Sequence, residues 1–191
     1  NDEITGTLNV LGPLAGSYDV PGSYSSLTNP GGLFEALNNL GISSNITINI
    51  AGDLTGETGS VALNQLTETG AGAGTYTVTI KPSDAARSIT STSTATGLIS
   101  LNGADRVTID GSLSGGTDRS LTLINSNTTT SGTTVVGLFS AGIGAGAVNN
   151  TIKNTVIQNG TKFEATTDGS FNFGIYAGGA DIDNLTIQNN L

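Results

Sequence analysis

The chain reads Val107-Thr108-Ile109-Asp110 near its middle, and three other segments return to the same Thr-Ile pair. They are Val78-Thr79-Ile80-Lys81, Asn150-Thr151-Ile152-Lys153 and Leu185-Thr186-Ile187-Gln188. An internal repeat decides the architecture before local propensity does, because each repeat is one structural unit that stacks on the next. These four segments therefore occupy equivalent positions in successive repeats. Each set of equivalent segments forms one column.

Two further columns lie between these segments. One aligns Arg87-Ser88-Ile89-Thr90, Arg119-Ser120-Leu121-Thr122 and Asn154-Thr155-Val156-Ile157, and the other aligns Gly97-Leu98-Ile99-Ser100, Gly137-Leu138-Phe139-Ser140 and Gly174-Ile175-Tyr176-Ala177. The columns alternate in a fixed order, with a full turn of roughly 30 to 40 residues. Short apolar runs bounded by turn-forming residues are typical of strands. The sequence thus predicts an all-β chain, a right-handed parallel β-helix with three short strands per coil.

Alternation within the first column predicts which side chains are buried. In a strand, neighbouring side chains point to opposite faces, so Ile80, Ile109, Ile152 and Ile187 are expected to fill the interior. The threonines of the same column, Thr79, Thr108, Thr151 and Thr186, are then expected to face water.

The N-terminal part is predicted to close the first coil. Residues 1–44 are expected to form an N-terminal strand and a capping region, with an amphipathic helix near 31–40 that carries Leu33, Phe34, Leu37 and Leu40. Residues 45–191 are expected to be the β-helix coils, which we expect to continue beyond this chain.

Composition limits the classes of function. The net charge is −9 with six basic residues, so nucleic acid is a poor partner. Cys, His, Trp and Met are absent, which removes cysteine and histidine nucleophiles and Cys/His metal sites. No apolar run approaches the roughly 20 residues that span a bilayer, so no direct membrane insertion is expected. Together these features favour a protein that is not an enzyme. They also favour a location outside the cell, either secreted or at the cell surface.

Two runs carry a family resemblance. Tyr76-Thr77-Val78-Thr79-Ile80-Lys81-Pro82 and residues 101–111, with the helical start at 31–40, resemble the opening coils of large β-helix surface proteins of the Bacteroidota. The resemblance covers most of residues 24–191. It implies a long adhesin or surface filament exported by the type IX system, with the sorting domain at the far C-terminus of the full protein. No ligand is implied by it.

Carboxylates are the candidates for catalysis, because other β-helices cleave polysaccharides with clustered acids. Asp105 and Asp183 share a column position with Val148 between them, and Asp110 follows the strand that Asp105 precedes. A separation of roughly 10 Å is compatible with an inverting pair of carboxylates. The competing interpretation is that all three are turn residues, so the enzyme hypothesis is disfavoured.

Other acidic and charged residues are candidates for metal binding or for ion pairing. Asp53, Asp84 and Asp118 could supply oxygen ligands to calcium, but no calcium-binding motif supports such a site. A metal or other cofactor is therefore not expected. Lys81, Asp110 and Lys153 occupy one outward column and predict a ladder of alternating charge between coils.

Two rows could bind a ligand. Ile99, Phe139 and Tyr176 align in the third column, where both parities are apolar. Such a row is expected to be interior, and an outward row would contact carbohydrate. The threonine row of the first column is similar to the threonine rows of ice-binding solenoids, but its neighbouring column Thr77, Arg106, Asn149 and Asn184 breaks the paired array.

Three functions follow from these patterns. The leading expectation is a non-enzymatic extracellular rod within an adhesin or surface filament, with surface glycans or other copies of the same protein as partners. The alternative is a β-helix that binds or degrades polysaccharides, and a remote alternative is an ice-binding solenoid.

Overall fold

The computed structural model describes residues 11–129, 132–160 and 172–191, and these residues form thirteen β-strands and one helix. In chain order the elements are β1 (Leu14–Val20), α1 (Leu33–Leu40), β2 (Ile42–Ile50), β3 (Leu63–Asn64), β4 (Val78–Pro82), β5 (Arg87–Ser91), β6 (Ile99–Asn102), β7 (Val107–Asp110), β8 (Leu121–Asn125), β9 (Thr134–Phe139), β10 (Thr151–Lys153), β11 (Thr155–Asn159), β12 (Phe173–Gly178) and β13 (Thr186–Gln188).

Three parallel sheets form the walls of a solenoid. The first sheet has the order β1-β2-β4-β7-β10-β13, the second β11-β8-β5, and the third β12-β9-β6-β3. Every pair of neighbouring strands within these sheets is parallel, and the chain makes about five turns. The predicted right-handed parallel β-helix with three strands per coil is confirmed, and its handedness is that of nearly all parallel crossover connections.

The register of the first sheet agrees with the sequence alignment. Thr79 lies opposite Thr108, which lies opposite Thr151 and, one coil further, Thr186. The column also includes two earlier members that the alignment missed, Ser17 and Thr47. The isoleucines on the opposite face are interior: Ile48, Ile80, Ile109 and Ile152 are fully buried.

The second column was aligned wrongly. Arg87 lies opposite Leu121 and Ile89 opposite Leu123, so the pairing with Arg119 is wrong by two residues. Arg119 belongs to the turn that precedes β8, where the neighbouring Ser120 N–H donates to the Gly111 carbonyl. A shift by two preserves the face of each side chain, so Ile89 and Leu123 are both interior and fully buried.

The alignment with β11 is wrong by one residue. Val156 lies opposite Thr122 on the outer face, and Ile157 lies opposite Leu123. A shift by one exchanges the two faces of a strand. Ile157, not Val156, is therefore the side chain that points toward the core.

The third column was also aligned wrongly, and its predicted row is split. Ile99 lies opposite Val136 and is fully buried, whereas Tyr176 lies opposite Gly137 and is 39% exposed. Phe139 lies opposite Asn102 on the outer face. Strand β9 begins at Thr134, earlier than the glycine used for alignment, so Val136 and Leu138 supply its interior side chains.

The helix α1 caps the N-terminal end of the solenoid, as predicted. It follows Gly32 and ends at Leu40, and the N–H of the next residue, Gly41, donates to the Leu37 carbonyl. Leu33, Phe34 and Leu37 are buried, and the helix contacts β3 and β1. Because α1 lies beside the first strand of the third sheet, it takes the place that a strand has in later coils.

Within the ranges that the structure describes, α1 is too short to cross a bilayer, and no longer apolar helix occurs.

Candidate functional site

Asp105 links neighbouring coils. One carboxylate oxygen accepts a hydrogen bond from the Val148 backbone N–H at 2.9 Å, and the other accepts from the Gln65 side-chain amide at 3.0 Å. Gln65 belongs to the coil on one side and Val148 to the coil on the other. Both oxygens of this predicted catalytic carboxylate therefore bridge adjacent coils.

Arg106 joins Asp105 to a second acid. Its guanidinium lies 3.8 Å from the Asp105 carboxylate and 2.5 Å from that of Glu68. Burial raises the pKa of Glu68, but the hydrogen bonds from Arg106 and from the Tyr76 and Gly74 backbone N–H groups hold it below its ordinary value. Glu68 was not predicted as part of any cluster, because no column or motif contains it.

Asp110 has a dense set of donors at the corner between the first and second sheets. Its carboxylate accepts from the Ser112 N–H at 3.0 Å and hydroxyl at 2.8 Å, and from the Asn154 amide at 2.8 Å. The Lys153 ammonium lies 3.2 Å away. Burial raises the pKa of Asp110, but the hydrogen bonds from Asn154, Ser112 and Lys153 outweigh it and lower the pKa.

The predicted charge ladder is present in part. Lys153 and Asp110 form an ion pair in adjacent coils, while Lys81 forms no ion pair with any residue that the structure describes. Nearer the N-terminus the same column has a hydrogen bond in place of an ion pair, because the Asn49 amide donates to the Asp19 carboxylate at 2.9 Å. The column thus continues toward the N-terminus as a polar contact.

Asp183 differs from the other two catalytic candidates. It lies in the column of Asp105 and Val148, since the Asn149 N–H donates to its backbone carbonyl at 3.0 Å, and it is exposed. The structure therefore brings Asp105 and Asp183 into one column and leaves Asp110 at the opposite end of the strand. Their catalytic role stays a prediction.

The calcium candidates each serve a separate turn. Asp53 accepts from the Ser88 N–H at 2.8 Å, Asp84 pairs with Arg87 at 2.5 Å, and Asp118 accepts from the Leu113 N–H at 3.0 Å. Among the described residues, no group of three or more acidic side chains is arranged to hold a metal ion.

An aromatic cluster lies at the third sheet, with Phe139 and Tyr176 on the outer face and Phe173 at the start of β12. The ring centroids of Phe139 and Tyr176 lie 5.8 Å apart, and those of Phe173 and Tyr176 lie 5.4 Å apart. Phe173 is 38% exposed and Tyr176 is 39% exposed. Phe173 was missed at the sequence level because it lies outside the aligned columns.

Two glycines fix the orientation of these rings. A Cβ atom added at Gly137 would lie 2.4 Å from the Phe139 ring, and one added at Gly178 would lie 2.3 Å from the Tyr176 hydroxyl. Each ring therefore packs closely against a glycine of its own strand. Because Tyr176 is opposite Gly137 and Phe139 is opposite Gly178, the two rings lie side by side.

Two open depressions flank Phe139. The first has a volume of about 390 Å³ and is lined by Gly59, Ser60, Ala62, Ala95, Thr96, Ser100 and Phe139. The second has a volume of about 320 Å³ and is lined by Thr96, Gly132, Thr134, Phe139, Phe173 and Tyr176. None of these lining residues is charged.

The outer face of the first sheet is polar throughout. Its central column contains six hydroxyl residues, namely Ser17, Thr47, Thr79, Thr108, Thr151 and Thr186. The column beside it contains asparagines, and the Asn184 amide donates to the Asn149 side-chain oxygen at 3.0 Å. These contacts join the coils on the outside, as the isoleucines do on the inside.

Comparison with protein-family models, with curated proteins and with solved structures gives no match to this chain. The resemblance to Bacteroidota surface proteins therefore stays a prediction.

Proposed function

We propose that this chain is a coil segment of a non-enzymatic extracellular rod, part of an adhesin or filament at the cell surface. The observation that carries the proposal is the use of acidic side chains as bridges between coils. Asp105 spans three successive coils through Gln65 and Val148, and Asp110 pairs with Asn154 and Lys153 of the next coil. Carboxylates committed in this way contribute to the integrity of a rod.

Composition supports an exposed, extracellular scaffold. The chain has no Cys or Met, the two side chains that are most readily oxidised outside the cell. Its low content of basic residues and its net charge of −9 oppose non-specific adhesion to nucleic acid and to anionic membranes. Export by the type IX system, implied by the resemblance, is part of the same proposal.

Two measurements test the proposal. Intact cells that carry the protein are labelled with an antibody raised against this chain, and we expect labelling without permeabilisation. The purified chain is incubated with uronic-acid polymers and with neutral polysaccharides, and we expect no new reducing ends and no unsaturated products. Labelling that requires permeabilisation, or turnover of any polymer, would contradict the proposal.

A polysaccharide-degrading β-helix is the second candidate, and the shared column of Asp105 and Asp183 favours it. It requires turnover that Asp105→Asn, Asp110→Asn and Asp183→Asn each reduce. Polymer binding and turnover that do not change in the triple variant would remove this candidate.

Ice binding is the third candidate, favoured by the continuous hydroxyl column from Ser17 to Thr186. Ice crystals grown with the protein would show thermal hysteresis and altered shape if it holds. A Thr108→Tyr variant would then lose both effects, because a large ring interrupts the centre of the row.

A further inference from the structure

We propose that the aromatic cluster of Phe139, Phe173 and Tyr176 and its two flanking depressions bind an uncharged oligosaccharide that lies along the rod axis. The biological setting rests on the surface location proposed above, whereas the binding itself is a property of the purified chain.

The cluster exposes a contiguous apolar surface. Phe173 and Tyr176 each expose more than a third of their area, and their rings contact each other and Phe139. Isolated exposed apolar side chains are ordinary on a protein surface, whereas contiguous patches mark binding sites. Aromatic faces present a flat apolar surface with a polarised π system, which suits the C–H face of a sugar ring.

The aromatic rings are held in place before any ligand binds. Phe139 lies against Gly137 and Tyr176 lies against Gly178, so neither ring folds back onto its own strand any further. The parallel sheet below holds both strands in register. A ligand that stacks on fixed rings does not bear the entropy cost of ordering them, and this increases affinity.

The residues that line the two depressions suit a sugar in size and in chemistry. The depressions of about 390 and 320 Å³ fall at the lower end of the range for small-molecule sites. The hydroxyl-bearing residues Ser60, Thr96 and Ser100 line the first depression, and Thr96 and Thr134 line the second. Hydroxyls donate and accept hydrogen bonds, which matches the hydroxyls of a sugar.

The lining of the depressions differs in charge from the chain as a whole. The chain has a net charge of −9, yet no described residue that lines these depressions is charged. An anionic polysaccharide would approach against the field of the whole chain, and among the described residues no carboxylate lines the depressions to attract a basic peptide. An uncharged saccharide fits both conditions.

The axis of the site follows from its lining. Gly59 and Ser60 precede β3, Thr96 precedes β6, Phe139 ends β9 and Tyr176 lies in β12. These are successive strands of the third sheet, and three steps between parallel strands span about 14 Å. The site is therefore long enough for several sugar units, and affinity should rise with oligomer length.

The experiment is a calorimetric titration of the full chain with cello-, xylo-, manno- and chito-oligosaccharides, each from disaccharide to hexasaccharide. Oligogalacturonate is the anionic probe. We expect at least one uncharged series to bind with affinity that rises with length, and Tyr176→Ala to weaken it by about tenfold or more. The matched control is Ile143→Ala, which removes a side chain that is 97% exposed and lines neither depression.

A second variant gives a readout that does not depend on affinity. The chain has no Trp, so Tyr176→Trp introduces a single indole at the centre of the cluster. We expect its emission to shift to shorter wavelength when the oligosaccharide binds, because stacking excludes water. Circular dichroism of each variant checks that the β-helix is folded.

Several outcomes would overturn the inference. No binding of any uncharged oligomer would do so, as would equal binding by the Tyr176→Ala and Ile143→Ala proteins or preference for the anionic probe. Self-association that Tyr176→Ala abolishes would assign the face to a second copy of the chain. None of these results would alter the surface labelling or the polymer turnover that test the rod proposal.

Discussion

The buried carboxylate of Glu57 accepts hydrogen bonds from both the backbone N–H and the hydroxyl of Thr28, each at 2.6 Å. The Ser26 hydroxyl and the Leu27 N–H donate to the same carboxylate at 3.0 Å. Glu57 is only 4% exposed, and its four donors belong to the segment that leads into α1. A single carboxylate thus attaches the N-terminal cap to the first complete coil.

We expect Glu57→Gln to destabilise the protein by about 2 to 4 kcal/mol. The amide group of Gln is a donor and would face the Leu27 N–H or the Thr28 N–H, so at least one buried donor would lose its partner. The measurement is urea denaturation followed by circular dichroism.

Thr28→Val supplies the control, because it removes one of the four donors and retains the backbone N–H. We expect a coupling energy in the double variant, since the two side chains share one contact. Additive effects of the two substitutions would contradict the proposed attachment.

The isoleucine column of the first sheet gives a matched pair of substitutions. Ile109 is fully buried between coils, whereas Ile187 lies in the same column and is 54% exposed on the last strand. Ile109→Ala should cost about 2 to 5 kcal/mol, and Ile187→Ala less than about 1 kcal/mol. Equal costs in urea denaturation would show that the column is not a continuous interior stack.

The fold could be predicted from sequence because two independent signals identify the first column. Thr108 and Ile109 repeat as a pair, and their opposite faces have opposite polarity, so the register and the interior face are both determined. The third column has no such contrast. Leu98 and Ile99 are both apolar and both buried. The aligned glycines Gly97, Gly137 and Gly174 do not lie opposite one another in the sheet.

The candidate site could be predicted only where it coincides with the repeat. Asp105, Val148 and Asp183 share a column in the structure as the sequence indicated. The attachment by Glu57 could not be found, because its donors lie about thirty residues earlier in a segment without periodicity. The glycine alignment placed Phe139 and Tyr176 in one row, but it did not reveal the two-residue offset between their strands.

Asp110 should make stability depend on pH. Its pKa is lowered in the folded state, so its contribution is present above the unfolded value of about 3.9 and is lost as the pH falls through the folded pKa. Asp110→Asn should cost about 1 to 3 kcal/mol at neutral pH, and the difference from the unmodified protein should shrink in acid. Urea denaturation at a series of pH values measures it.

Asp183→Asn is the control for that series. It removes the same charge from an exposed carboxylate that has no hydrogen-bond partner within the described ranges. We expect a small effect on stability at every pH. A difference for Asp110→Asn that stays unchanged however far the pH falls below the unfolded value of about 3.9 would contradict the assignment.

Close stacking of coils at the corner between the first and second sheets gives the last prediction. A Cβ atom at Gly111 would lie 1.9 Å from the Asn154 carbonyl oxygen of the next coil, so Gly111→Ala must displace backbone. We expect a loss above about 3 kcal/mol or failure to fold. Gly56→Ala is the control, because no atom lies within 4 Å of its added Cβ. Thermal unfolding compares the two, and a near-neutral Gly111→Ala would contradict the observed coil spacing.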